Sequence, residues 1–214
     1  MAKRKVTAFL LAAALSLSAS AAPQLGKLPA EEWIEALEGK ERVQGLKMPE
    51  VLEKLSLKPG MVVADIGAGS GIFSFPISRS VKPGGRVLAV EVDVKLIEHI
   101  LMAATEQGIV NIDGVFGEFD DPALPEKVDF AFVNETLHHV EHRDLYLKNL
   151  AGHLKPSGRV AIIEFKPGQG SHANNSALQV SQEQSTAWMA AAGLKPVQVV
   201  SDVFADRWFV IYGR

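Results

Sequence analysis

Three glycines at alternate positions, Gly67, Gly69 and Gly71, sit in the stretch Val62 to Ser74, V-V-A-D-I-G-A-G-S-G-I-F-S. An apolar run precedes them and a helix-like segment follows. Residues without a Cβ let a ligand lie against the backbone. The N–H groups at a helix start attract an anion such as a carboxylate. Asp65 stands two residues before Gly67. A carboxylate there repels a pyrophosphate and suits a cation or a hydroxyl. The pattern points to a zwitterion, with its ammonium near Asp65 and its carboxylate near the helix start. Glu91 lies about 20 residues beyond the glycines, at the end of the next apolar run, where an acid accepts hydrogen bonds from both hydroxyls of a ribose. Asp93 is a weaker candidate for that role.

Two competing uses of a glycine loop do not fit. A dinucleotide site needs G-x-G-x-x-G, and the position of its third glycine holds Ile72. A phosphate loop needs G-K followed by Ser or Thr, and none follows. Further along, Gly117-Glu118-Phe119-Asp120-Asp121-Pro122 offers an acid for an adenine amino group. Asn134-Glu135-Thr136-Leu137-His138-His139 points at the same crevice. A histidine near neutral pKa can take a proton from a reacting group, so His138 and His139 are the catalytic candidates, with Glu135 third. His138, His139 and His142 with Glu135 or Glu141 lack the H-E-x-x-H spacing, so no metal site is expected. Cysteine is absent, which excludes disulfides, thiolate metal sites and cysteine nucleophiles.

These residues need elements to position them. Met61 to Ile66, Arg86 to Val92, Val110 to Phe116, Val128 to Val133 and Arg159 to Phe165 read as strands. The near-continuous apolar run of the first suits burial on both faces, and the third is weaker. Ile72 to Val81, Lys95 to Gln107 and Arg143 to Leu154 read as the helices between them, with Pro76 in a first turn. Asp113-Gly114 suggests a bulge or turn in the third strand. Ser181-Gln182-Glu183-Gln184 has the pattern of a capping box, opening a helix that runs to Ala192. Lys195 to Ser201 and Arg207 to Tyr212 follow as an antiparallel pair, because too few residues join them for a crossover helix. Pro29 to Glu38 reads as a short helix, and Gly39 and Gly45 bracket a polar connection before a helix that starts at Pro49. The alternation predicts an α/β doubly wound sheet whose ligand binds at the carboxyl ends of the strands.

The set V-A-D-I-G-A-G-S-G, V-L-A-V-E-V-D, L-K-P-S-G-R-V-A-I-I-E-F and A-A-G-L resembles the class I S-adenosylmethionine-dependent methyltransferases over about residues 45 to 213. The closest likeness is to the broad ubiquinone-biosynthesis-type methyltransferase-domain group, which includes small members with secretion signals. The resemblance implies a Rossmann-like seven-stranded sheet of order 3-2-1-4-5-7-6, with the last strand antiparallel. It implies S-adenosyl-L-methionine as cofactor. Asp65, Gly67, Gly69 and Gly71 would form the cofactor loop, Glu91 would hold the ribose, and Glu118 would lie by the adenine with Asp120 as second choice. Asn134, where the family often has aspartate, would lie beside the methionine portion. The implied reaction is in-line methyl transfer to a small-molecule acceptor.

The chain has 214 residues and a net charge of −3, without the basic excess that nucleic-acid binding needs. Its N-terminus has the parts of a secretory signal: basic Met1 to Lys5, an apolar run, then Ala19-Ser20-Ala21. The apolar run is roughly a dozen residues, short of the ~20 that span a bilayer. The expected organisation is a signal peptide over 1–21, a linker and lid helix over 22–48, and a methyltransferase domain over 49–214. Residues 29–48 and 166–180 are the expected lid. Export to the periplasm or medium follows, with a signal-anchored protein as the alternative. Because the cofactor is cytoplasmic, an exported non-catalytic protein that binds an adenosyl ligand is the alternative to the enzyme.

Overall fold

The computed structural model describes residues 29–214; the expected signal peptide lies outside the described residues. Among the described residues, no helix is long and apolar enough to cross a membrane. Three helices come first, α1 (Ala30–Glu38), α2 (Lys40–Gly45) and α3 (Met48–Leu55). Strand and helix then alternate: β1 (Val62–Ile66), α4 (Ser74–Ser80), β2 (Arg86–Glu91), α5 (Val94–Glu106), β3 (Ile112–Phe116) and β4 (Val128–Asn134). After a 3₁₀ turn at Leu137–His139 come α6 (Arg143–Gly152), β5 (Leu154–Phe165), a second 3₁₀ turn at Ser176–Leu178, α7 (Gln182–Ala191), β6 (Lys195–Val200) and β7 (Arg207–Gly213).

The seven strands form one sheet in the order β3-β2-β1-β4-β5-β7-β6. β1 pairs parallel to β2 and β4, and β7 runs antiparallel to both β5 and β6. Alternate side chains along a strand point to opposite faces, so the sheet has two cores. On one face Val63, Val87, Ala89, Phe130, Phe132 and Phe209 meet Val51, Ile77 and Ile100 of α3, α4 and α5. On the other face Ala64, Leu88, Val90, Ala131, Ile162 and Val210 meet Leu147, Leu150 and Met189 of α6 and α7. Burial of both faces is why central strands such as β2 and β4 read as near-continuous apolar runs, whereas the edge strands β3 and β6 are largely exposed.

Ser181 and Gln184 form the expected capping box at the start of α7. Pro76 falls in the first turn of α4, where its missing N–H costs no helical bond. Three local readings need correction. Lys40–Gly45 is helical rather than an irregular connection. β5 begins at Leu154 rather than at the expected Arg159, and the register breaks between the Val128–Leu154 and Phe130–Arg159 pairs, so Lys155 to Gly158 is extra length within the strand. Gly114 is neither bulge nor turn: it pairs in register with Ala89, and a Cβ there would lie 2.3 Å from Ile97 Cγ2, so the glycine lets α5 pack close to β3.

Candidate functional site

The loop after β1 curls back on itself. The N–H groups of Gly67 and Ala68 both donate to the Val90 carbonyl, at 2.9 and 3.0 Å, and Gly71 N–H donates to the Ala68 carbonyl at 2.9 Å. Gly69 N–H donates to Glu91 Oε1 at 2.7 Å. Gly67 has φ +67°, and a Cβ there would fall 2.4 Å from the Thr136 side chain. The glycine therefore admits the β4 loop as well as the turn. Gly69 has φ +60°, and a Cβ there would sit 3.0 Å from Leu37 of α1. The amides of this loop are largely bonded within the protein, which leaves a smaller anion cradle than the glycine spacing suggests.

Two acids close the strand ends. Asp65 is buried on β1, and its Oδ2 accepts from the Ser74 hydroxyl at 2.6 Å. Burial pushes its carboxyl up to about 7, the Ser74 hydrogen bond opposes the shift, and the charge of Glu91 adds to it. Glu91 ends β2, with Oε2 accepting from Val92 N–H at 3.0 Å. Its carboxyl is also raised, by burial first, against the Gly69 and Val92 amides. Asp93 serves as the cap of α5, accepting from Lys95 N–H at 2.9 Å.

A cavity of about 410 Å³ opens over these acids at the carboxyl ends of β1, β2 and β4. Asp65, Glu91, Glu118 and Asn134 line it, as do Gly67 and Gly69; Gly71 does not. Trp33 and Leu37 of α1 form its roof, and the side chains of Phe116 and Phe119 flank the Glu118 end. Ser70 also lines it, and its buried hydroxyl has no hydrogen-bond partner among the described residues. Asp120 lies outside, on an adjoining groove with Glu141 and His142.

At the far wall Glu135, with φ +51°, accepts from Arg207 Nε at 2.6 Å and from Arg42 Nη2 at 3.5 Å. The Arg207 guanidinium also lies 4.1 Å over the Phe165 ring. His139 lines the cavity, whereas His138 is buried behind it with Nδ1 2.7 Å from Glu164 Oε2. His172 completes a group of three imidazoles whose ligand-capable nitrogens lie within 4.8 Å of one another.

A sequence-family profile described as a methyltransferase domain matches residues 64–162. The fold is that of a SAM-dependent methyltransferase from Aquifex aeolicus, at TM-score 0.76 and 24% identity, over 87% of this chain and 98% of that one. The domain match and the fold together support a class I S-adenosylmethionine-dependent methyltransferase. Nocamycin O-methyltransferase from Saccharothrix syringae is 27% identical over 114 residues, 52% of this chain and 40% of that protein. The ubiquinone/menaquinone biosynthesis C-methyltransferase of Hydrogenovibrio crunogenus is 25% identical over 116 residues, 53% of this chain and 46% of that protein. The aligned region thus spans less than half the length of these curated relatives. S-adenosylmethionine is the cofactor of this fold.

In this fold the expected cofactor residues converge on one cavity, apart from Gly71 and the second choice Asp120. The histidine pair does not act as a pair toward it. The His139 imidazole is pushed down to about 3, by burial first and then by His138, His172 and Arg143, and a group that acidic is a poor base at neutral pH. His138 faces Glu164 instead of the cavity. Glu135 is engaged by two arginines, which removes it as a free base. Of the expected lid, α1 roofs the cavity, while none of residues 166–180 lines it. Sequence reading missed Ser74, the aromatic flank of Phe116 and Phe119, and His172. Ser74 follows the loop on the first turn of a helix and had no signal of its own.

Proposed function

We propose that the protein binds S-adenosylmethionine in this cavity and transfers its methyl group to a small-molecule acceptor. The observation that carries the reading is the pair of buried, raised carboxyls, Asp65 and Glu91, on the floor of one cavity. Buried acids of this kind favour a ligand that brings positive charge and hydroxyl donors. Asp65 would accept from the ammonium and Glu91 from the ribose hydroxyls. Glu118 would meet the adenine amino group, with Phe116 and Phe119 against its ring. Asn134 would lie along the methionine portion. The unpaired Ser70 hydroxyl and the Arg42 guanidinium are the groups on the lining suited to a carboxylate.

The cofactor supplies an electrophilic methyl on a sulfonium, so the chain's work is binding, orientation and exclusion of water. Trp33 and Leu37 cover the site. His139, neutral at physiological pH, can orient an acceptor by a hydrogen bond, and an acceptor that is already deprotonated needs no base from the protein. Calorimetric titration with S-adenosylmethionine and S-adenosylhomocysteine tests the reading. Micromolar binding, about −8 kcal/mol, supports it. No binding at millimolar ligand sinks it. Binding without turnover across an acceptor panel favours the binding protein over the enzyme.

A further inference from the structure

His138, His139 and His172 converge outside the set of groups assigned to the cofactor. The first two lie on the 3₁₀ turn after β4, and His172 comes from the segment between β5 and α7. Their ring centroids are 4.1, 4.9 and 5.7 Å apart and their planes cross at 47°, 51° and 82°, so no two rings stack face to face. One ligand-capable nitrogen of each lies within 4.8 Å of the others. Among the described residues, no protein group hydrogen-bonds a ring nitrogen of His139 or His172.

Glu164 is the second, independent observation. It is 2% exposed, near the end of β5, beside the strand that leads into the turn. Its carboxylate accepts from the His138 backbone N–H at 3.2 Å and is 2.7 Å from His138 Nδ1. With Nδ1–H donated to Glu164, the lone pair of His138 sits on Nε2. A carboxylate behind an imidazole is the usual support of a metal-ligating histidine: it sets the tautomer, orients the ring and raises its basicity. Arg143 fixes the geometry from the side without using an imidazole. Its guanidinium donates to the carbonyls of Leu137, His138 and Ala177, at 3.2, 3.0 and 2.7 Å, and so ties the turn to the His172 segment.

We propose that His138 Nε2, His139 and His172 form a three-histidine site for a borderline divalent transition-metal ion, zinc foremost, with Glu164 supporting His138. An all-imidazole set suits zinc, copper, nickel or iron and disfavours magnesium and calcium. Zinc–nitrogen bonds of about 2.0–2.1 Å place tetrahedral nitrogens about 3.4 Å apart, so nitrogens now within 4.8 Å of one another draw in by at most about 1.4 Å on binding. His172, on a loop, is the ligand able to move. Three protein ligands leave a coordination position for water or another small ligand. The ion would clamp residues 166–180 to the turn that borders the cavity. This site does not depend on the methyl-transfer reading.

The test is titration of tag-free, chelator-treated protein with zinc by calorimetry, and with cobalt(II) by visible absorption. The expected result is one ion per chain with the absorption of a low-coordinate cobalt site. His172→Ala, on an exposed segment, should fold as wild type and bind at least 100-fold more weakly, and Glu164→Gln should lose about 10- to 100-fold. No zinc binding in the micromolar range overturns the proposal. So does binding that His172→Ala and His139→Ala leave unchanged, which would assign the ion to the other histidines.

Discussion

The N–H of Gly69 and the carboxylate of Glu91 are joined by a 2.7 Å hydrogen bond, so the glycine loop and the acid of the second strand form one unit. The other Glu91 oxygen is held by Val92 N–H. Two amides thus fix the carboxylate before any ligand arrives, in a residue that lines the cavity. Preorganisation of this kind lowers the ordering cost of binding. Glu91→Ala should weaken S-adenosylmethionine at least tenfold, about 1.4 kcal/mol, measured by calorimetry. If affinity were unchanged, Glu91 would not be a ligand-binding residue.

The raised Asp65 carboxyl makes both stability and affinity depend on pH. Its ordinary value is 3.8 and burial lifts it to about 7. Between these values the folded state holds a proton that the unfolded state has released, so this group lowers stability as pH rises through that window and adds no further change above it. A cationic ligand prefers the ionised form, so affinity for S-adenosylmethionine should rise between about pH 6 and pH 8. Asp65→Asn should flatten both profiles. Wild-type affinity that is level over this range would argue against an ammonium at Asp65.

Gly67 and Thr136 occupy space that a single side chain would contest. Gly67→Ala places a methyl 2.4 Å from the Thr136 side chain at φ +67°. Left-handed backbone alone costs about 1–2 kcal/mol for a non-glycine residue, and the clash adds to it. A loss of about 3 kcal/mol by denaturant titration is expected. Adding Thr136→Ala should recover part of that loss, and a strictly additive double mutant would mean that the contact is not the cause.

Arg207 and Arg42 should differ sharply although both meet Glu135. Arg207 is 10% exposed and pairs at 2.6 Å with an equally buried acid, whereas Arg42 is 30% exposed and lies at 3.5 Å. Removing one partner of a buried pair strands the other charge, at about 3–5 kcal/mol; a partly exposed pair is worth about 1 kcal/mol or less. Arg207→Ala should therefore cost about 3 kcal/mol and Arg42→Ala under about 1 kcal/mol. Equal losses by chemical denaturation would contradict this ranking.

The sheet was legible because both its faces are buried. Strands such as Val87 to Val90 and Phe130 to Val133 carry apolar residues at successive positions, and turn residues punctuate them. α2 was not legible, since K-E-R-V-Q-G has a single apolar residue between glycines and takes its place through Arg42 and the chain around it. Local spacing also could not show which groups the loop amides would satisfy. Val90 and Glu91 take most of them, and both belong to the next strand.

The sequence by itself determined the alternation of strands and helices, the crevice at the strand ends, and the acids Asp65 and Glu91 that face it. Those follow from hydrophobic period and from residues near one another in the chain. The tertiary structure alone decided the partners that come from afar. Thr136 stands against Gly67, Arg207 takes Glu135 out of the pool of bases, and Glu164 and His172 gather around His138. Each of these contacts joins segments from different strands or loops. Their energies depend on separations of a few ångströms, which folding sets and sequence distance does not.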